Sequence, residues 1–277
     1  MAKGIGLIGN FKGKVGNMVG YKLTASNTGN TQGVRVYQPI VKNPKTSAQA
    51  EQRAKLAPIN ATYRALKMII DRGNEGLPYG NKSRLAWLKN AFKAENMPWI
   101  EKGVYPAYPV GCLLTKGSLS GISSTVVSGQ LVVEVADVET DTELDTIGKI
   151  SAAFMNAYSF LKDGDQITLV AISSVDGAIQ ASVVSFILDI TSAEDFDLAT
   201  GANESIKFTI LSDAIAGCII VSREGANGEH LRSTSTLNIA AATVATAPYD
   251  ATSKTAAIKS YMNSAAVNAD WAEESIQ

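Results

Sequence analysis

The chain has one histidine, two cysteines and no acidic residue before Glu51. A single histidine, His230, argues against a His-based metal site and against a Ser–His–Asp relay. Cys112 and Cys218 sit in apolar, strand-like contexts and read as buried free thiols. No apolar run reaches the roughly 18 residues that a membrane span requires. The best candidate, Ala181 to Ile190, is short and interrupted by Asp189. The first residues do not read as a signal peptide, because Lys3 is the one charge and Gly4, Gly6 and Gly9 break the apolar part. Charged residues are only 18% of the chain and hydrophobic ones 45%. That is a globular balance, and 277 residues suffice for one large or two ordinary domains.

The net charge of −1 conceals a strong polarity. Residues 1–116 hold 18 Lys+Arg against 5 Asp+Glu, and residues 117–277 hold 7 against 21. Such asymmetry points to a nucleic-acid partner, or to a neighbouring copy whose acidic half receives this basic half. The plain alternative is a folded monomer whose halves neutralise each other.

Between the two halves stands a helix start with its punctuation intact, Asn43-Pro44-Lys45-Thr46-Ser47-Ala48-Gln49. Pro44 pushes Asn43 into an extended conformation, Thr46 fits the N-cap, and Gln49 completes a capping box. The helix is expected from about Ser47 to Leu56, with Pro58 kinking or restarting it and Ile59, Tyr63, Leu66 and Ile70 on one face to Ile70. A second helix is expected over about Lys82–Ala94, with Leu85, Leu88 and Phe92 on its apolar face and Trp87 and Ala91 close by. Before this segment, residues 4–24 read as paired extended stretches with glycines and Asn17 at turns, and Val34–Tyr37 as a short strand. So few large apolar side chains cannot bury much core, so this arm is expected to order on something else.

After Pro109 the period changes from helical to alternating. Strands are expected at Gly111–Thr115, Ser123–Val127, Gln130–Val135, Gln166–Ser174, Ile179–Leu188, Ser205–Leu211, Gly217–Ser222 and Leu231–Ile239. Ser128-Gly129, Asp163-Gly164-Asp165, Asp176-Gly177 and Asn227-Gly228 supply turns between them. Ile150–Leu161 fits a helix as well as a strand, and the tail from about Thr252 to Trp271 reads as helical. The fold class is therefore α+β. A Gly-rich β arm (1–42) leads to a small helical segment (43–104), with the boundary in the Pro- and aromatic-rich linker Met97–Tyr108. A mainly antiparallel β-sandwich (105–240) and a C-terminal helical tail (241–277) follow.

Several apparent motifs fail on context. Gly4-Ile5-Gly6-Leu7-Ile8-Gly9 matches GxGxxG, but only Met1, Ala2 and Lys3 precede it and no helical period follows. Gly13-Lys14-Val15 lacks the glycine spacing and the Ser/Thr of a P-loop. Gly117-Ser118-Leu119-Ser120-Gly121 puts Leu119 where a nucleophile elbow needs serine. The acids Glu134, Asp137, Glu139, Asp141, Glu143 and Asp145 lack the glycine and register of an EF-hand loop, and read as an acidic face. Arg223 to Arg232 reads as a charged hairpin with Asn227-Gly228 at its tip, either a contact arm or a solvated loop.

Two blocks carry a family resemblance: Phe11-Lys12-Gly13-Lys14-Val15-Gly16-Asn17-Met18-Val19-Gly20-Tyr21, and Asn43-Pro44-Lys45-Thr46 with Gln49, Gln52 and Arg53. They resemble the N-terminus of an uncharacterised family common in Bacteroidetes and their phages. Tyr105-Pro106-Ala107-Tyr108 followed by Lys116-Gly117-Ser118-Leu119-Ser120-Gly121 resembles that family's next block. The resemblance covers about the first 125 residues and implies a phage or prophage setting.

The expectation is thus a non-enzymatic structural component of a phage particle, in capsid or tail, made in the bacterial cytoplasm and residing in the virion. Its partners would be other copies of itself and other phage structural proteins, with no cofactor, metal or membrane. Subunit or nucleic-acid contacts are assigned to Lys12, Lys14, Lys22, Arg35, Lys42, Lys45, Arg53 and Lys55 on the basic side. Glu139, Asp141 and Glu143 are assigned to the acidic side. The competing readings are a nucleic-acid-binding or packaging protein using the basic half, and a surface adhesion module using the sandwich.

Overall fold

Thr46 does what its position demands. Its backbone is extended (φ −81°, ψ 159°) and its hydroxyl accepts the Gln49 N–H at 3.4 Å, opening helix α1, Ser47–Ala65. The computed structural model that places it describes residues 13–22, 32–37, 46–92, 112–135, 138, 144–175, 178–201, 204–239 and 251–264. The chain divides into two units, Met1–Lys45 and Thr46–Gln277. The linker expected at 97–108 lies outside the described residues.

The first unit is an antiparallel meander of β1 (Gly13–Val15), β2 (Met18–Lys22) and β3 (Gln32–Val36), in that order. Val15 pairs with Met18, leaving the two-residue loop Gly16-Asn17. Gly16 has φ +59°, a conformation that costs glycine nothing and lets the loop follow the twist of the strands.

In the second unit α1 is one continuous helix through Pro58, so it does not end and restart there. The break comes instead at Leu66, before the single turn α2, Lys67–Ile70. Proline removes one helical N–H, but Ala50 and Ala54 on one side and Ile59 and Thr62 on the other are all buried, so both halves are held by packing. The Thr62 hydroxyl donates to the Pro58 carbonyl at 3.0 Å. Helix α3, Asn81–Phe92, also departs from expectation: its buried row is Ser83, Trp87 and Ala91, and Leu85 is 50% exposed. Ser83 decides this. Its hydroxyl donates to the Ile70 carbonyl at 2.7 Å and accepts from Asn74 Nδ2 at 3.1 Å, which fixes the rotation of the helix.

The strands form two facing antiparallel sheets. The central one has the order β12 (His230–Arg232), β11 (Ala216–Glu224), β7 (Gln166–Val175), β8 (Ala178–Ile187), with β14 (Asn238–Ile239) also on β11. The second has the order β5 (Thr125–Val127), β6 (Gln130–Glu134), β10 (Ser205–Phe208), β9 (Ala199–Gly201). The ambiguous segment is helix α4, Ile147–Ala157, with Ile147, Ile150 and Phe154 buried at helical spacing. These parts fit α+β with a sandwich. The C-terminal helix is α5, Ala251–Ser264, which packs against α1, with Ala257 and Met262 buried and Lys254 3.1 Å from Glu51.

The central sheet is buried on both faces. Ile167, Leu169, Ala171, Ile219 and Val221 join Leu131, Val133, Ile206 and Phe208 of the second sheet and Ile150 and Phe154 of α4. Val170, Ile172, Ala216, Cys218 and Ile220 join Ile59, Leu66, Ile70, Trp87 and Ala91 of the helices. The helices and the strands therefore share a core. Both cysteines are free and buried, and burial pushes their thiols up to about 12.

One expected strand, Leu231–Ile239, is three short ones: β12, β13 (Ser235–Thr236) and β14. β13 pairs with β4 (Leu113–Thr115) instead of β11. Buried serines fill the gap in the ladder. The Val221 N–H donates to the Ser233 hydroxyl at 2.9 Å, and the Ser235 hydroxyl donates to the Ile219 carbonyl at 2.7 Å. The Arg223–Arg232 segment is the expected hairpin, with Glu224 opposite His230. At its base Arg223 grips Asp165 with Nε and Nη2, each at 2.6 Å, and Nη2 also donates to the Phe160 carbonyl at 2.8 Å.

Thr46→Ala should cost on the order of 1 kcal/mol, measured by urea unfolding, through loss of the cap. Asp165 is 2% exposed and Arg223 only 20%. Arg223→Ala should therefore cost about 3 kcal/mol, at the lower end for breaking a buried pair, because an uncompensated carboxylate is left inside. A cost under about 1 kcal/mol would show that water already solvates the pair.

Candidate interaction surfaces

Register brings two of the basic contact residues together. Lys14 lies opposite Val19, and Val19 opposite Arg35, so the two cations flank one valine on the same face of the meander. With strands about 4.8 Å apart, their Cα atoms are roughly 10 Å from each other. Both are exposed, and Lys14 Nζ stands 3.6 Å from the centroid of the Tyr37 ring. Lys22 ends β2 opposite Gln32. Lys12, Lys42 and Lys45 lie outside the described residues, as do Glu139, Asp141 and Glu143. Arg53 is exposed on α1, while Lys55 pairs with Glu51 at 3.5 Å one turn away.

Another constellation gave no signal in the sequence. Glu75, in the loop between α2 and α3, gathers three donors from distant parts of the chain. Its Oε2 accepts the Ser118 N–H at 2.9 Å and the Arg232 N–H at 3.1 Å, and its Oε1 accepts the Ser118 hydroxyl at 2.9 Å. Burial alone would raise this carboxyl, but the N–H groups of Ser118 and Arg232 and the Ser118 hydroxyl outweigh it and hold it below its usual range. The segment Lys116–Gly121, which failed as a nucleophile elbow, is thus clamped on two sides. Lys116 bonds Gly73 and Glu75 through its backbone, and Leu119 donates to the Arg232 carbonyl at 2.9 Å. At Gly117 an added Cβ would stand 2.1 Å from the Arg232 carbonyl oxygen, so the chains meet closer than any side chain permits.

Beside the clamp is an open cleft of about 500 Å³ whose polar lining includes Asn90, Lys116 and Ser118, with Leu77 as its apolar wall. The Glu75 carboxylate, itself part of the cleft's lining, accepts the Ser118 and Arg232 donors there. A small cationic and aromatic patch lies near by. The Arg72 guanidinium is 5.6 Å from the exposed Tyr79 ring, and His230 is 6.4 Å from it. Burial lowers the pKa of Arg232, the Tyr79 hydroxyl opposes this, and the charge of Arg72 adds to it.

Among the described residues no group of three or more His, Cys, Asp or Glu is placed to hold a metal ion. No described helix is long and apolar enough to cross a membrane.

Glu75→Gln should cost about 1 kcal/mol or less at pH 7, because the charge that strengthens these bonds is lost while water can reach the freed donors. A depressed carboxyl stabilises the fold above its unfolded value near 4.3 and ceases to do so as pH falls through the lower folded value. The gap in melting temperature between Glu75→Gln and the wild type should therefore close between pH 5 and pH 3. A gap that stays constant over that range would refute the charge-assisted clamp. Compared with known proteins, the chain matches no family model, no curated protein and no solved structure.

Proposed function

We propose that this chain is a non-enzymatic structural component of a bacteriophage particle, a capsid or tail assembly protein made in the bacterial cytoplasm and built into the virion. Its copies contact one another, and other structural proteins of the particle, through the basic N-terminal unit and the acidic β-rich unit. The observation that carries the reading is the N-terminal meander. Three short strands display Lys14 and Arg35 and leave Val36 73% exposed, with Met18 and Tyr37 also exposed. A sheet this small with apolar side chains in water lacks the burial needed to be stable by itself, and a partner would supply it. The resemblance of the Phe11–Tyr21 and Asn43–Arg53 blocks to a phage-associated family points the same way. Unlike patches meeting head to tail build rings and filaments.

A second reading rests on the patch at Arg72, Tyr79 and Arg232. Two guanidinium groups around an exposed ring suit a phosphate-bearing polymer, and this would make the chain a nucleic-acid-binding or packaging protein.

Salt separates the two. Self-association of the full chain, followed by sedimentation velocity, should weaken as the Debye length falls from about 10 Å at 0.1 M to about 3 Å at 1 M sodium chloride. Lys14→Gln with Arg35→Gln should reproduce that weakening at low salt. A chain that stays monomeric at every salt concentration yet shifts a generic DNA fragment in a salt-sensitive way overturns the assembly reading in favour of the second.

A further inference from the structure

Open sheet edges are dangerous, and natural sheets shorten, charge, bulge or cover them. Among the described residues, the edge strands β12, β5 and β9 follow this rule with three residues each, as does β14 with two. The remaining one, β8, does not. It is ten residues long and pairs with β7 in ten unbroken steps. Its sequence, Ala-Ile-Gln-Ala-Ser-Val-Val-Ser-Phe-Ile, contains no charge and no proline. Among the described residues, no backbone bond reaches its outer edge. Phe186 and Val184 turn into the core, while Val183 and Ile187 on the opposite face are 43% and 59% exposed. This is an uncharged, largely apolar strand about 34 Å long, with α1 packed against part of it.

The chain around that strand has one sign of charge. Residues 163–206 contain eight acids and no Lys or Arg. Of these, Glu194, Asp195 and Asp197 are exposed, seven to ten residues after β8, where Glu194 and Asp195 lie against Ile147 and Thr146 at the start of α4. Residues 1–45 are the opposite, with seven Lys+Arg and no acid. Their own sheet ends in β3, which carries Arg35 and whose outer edge no described strand pairs. We infer that the outer edge of β8 is an assembly site that receives strand β3 from the N-terminal unit of a second copy. The main-chain ladder is extended by one strand, Val183 and Ile187 are covered, and Arg35 and its basic neighbours are held by Glu194, Asp195 and Asp197. This rests on the assembly reading and gives it a location. The receiving acids in this proposal are those following β8; Glu139, Asp141 and Glu143 lie outside the described residues.

The test uses the full chain at low salt in sedimentation velocity. Val183→Lys with Ile187→Lys places charge on the strand at exposed positions. It should weaken self-association at least about tenfold while circular dichroism and melting temperature stay at wild-type values. The triple change Glu194→Lys, Asp195→Lys, Asp197→Lys should abolish association, and so should Lys14→Glu with Arg35→Glu. An equimolar mixture of those two reversed chains should associate again, because one carries an acidic arm and the other a basic receiver. If the wild type associates and the β8 variant associates equally well, the edge is not the interface and the assembly reading stands without it. If the mixture fails to recover, the charge pairing is wrong. If the wild type is monomeric throughout, both the edge site and the assembly reading fall.

Discussion

Everything in the larger unit depends on two strands being buried on both faces. Along Ile167–Ile172 every side chain is buried, and the same holds for Ala216–Val221. Antiparallel sheets usually keep one face in water. Here odd positions of β7 feed the core shared with the second sheet, and even positions feed the core shared with the helices. Each full burial of a Val, Leu or Ile contributes on the order of 1.5–3 kcal/mol. Removing either covering layer would therefore expose a whole face of the central sheet. The helices, although they come first in the chain, are a lid that this sheet requires.

Polar fastenings hold the layers in register where apolar packing has no preference. Glu75 ties the helical loop to Ser118 and Arg232, residues 43 and 157 positions away. Asp165 and Arg223 bind the two central strands to the turn after α4 through the Phe160 carbonyl. Hydrogen bonds of this kind are directional, so a slip of one residue loses them all, whereas an apolar contact would adjust. The serines of β12 to β14 work alike: their hydroxyls occupy ladder positions that the kinked backbone leaves open.

The charge polarity of the chain is uneven in space as well as in sequence. The central strands are almost without charge. The acids collect in the loops that follow β8, and the basic residues of the first unit stand on a small sheet with little to bury. The assembly proposal rests on that contrast.

Local chemistry was legible in the sequence wherever it acts within a few residues. The Thr46 cap, the Gly16-Asn17 turn, the Asn227-Gly228 hairpin and the change from helical to alternating period all follow from backbone preferences of the residues present. They fix the α+β class and most strands. Tertiary contacts decided the rest. Pro58 stays inside a helix because burial on both sides outweighs one lost hydrogen bond. Leu85 faces outward because Ser83 is locked onto Ile70. The strand after Leu231 breaks because Ser233 and Ser235 reach β11 while the backbone turns to β4. β9 is too short for a periodic signal and exists only because β10 pairs with it. The Lys14–Arg35 row needs strand register to appear, and the Glu75 clamp joins residues with no relation in sequence. Propensity is a sum over neighbours along the chain, whereas these features are set by neighbours across it.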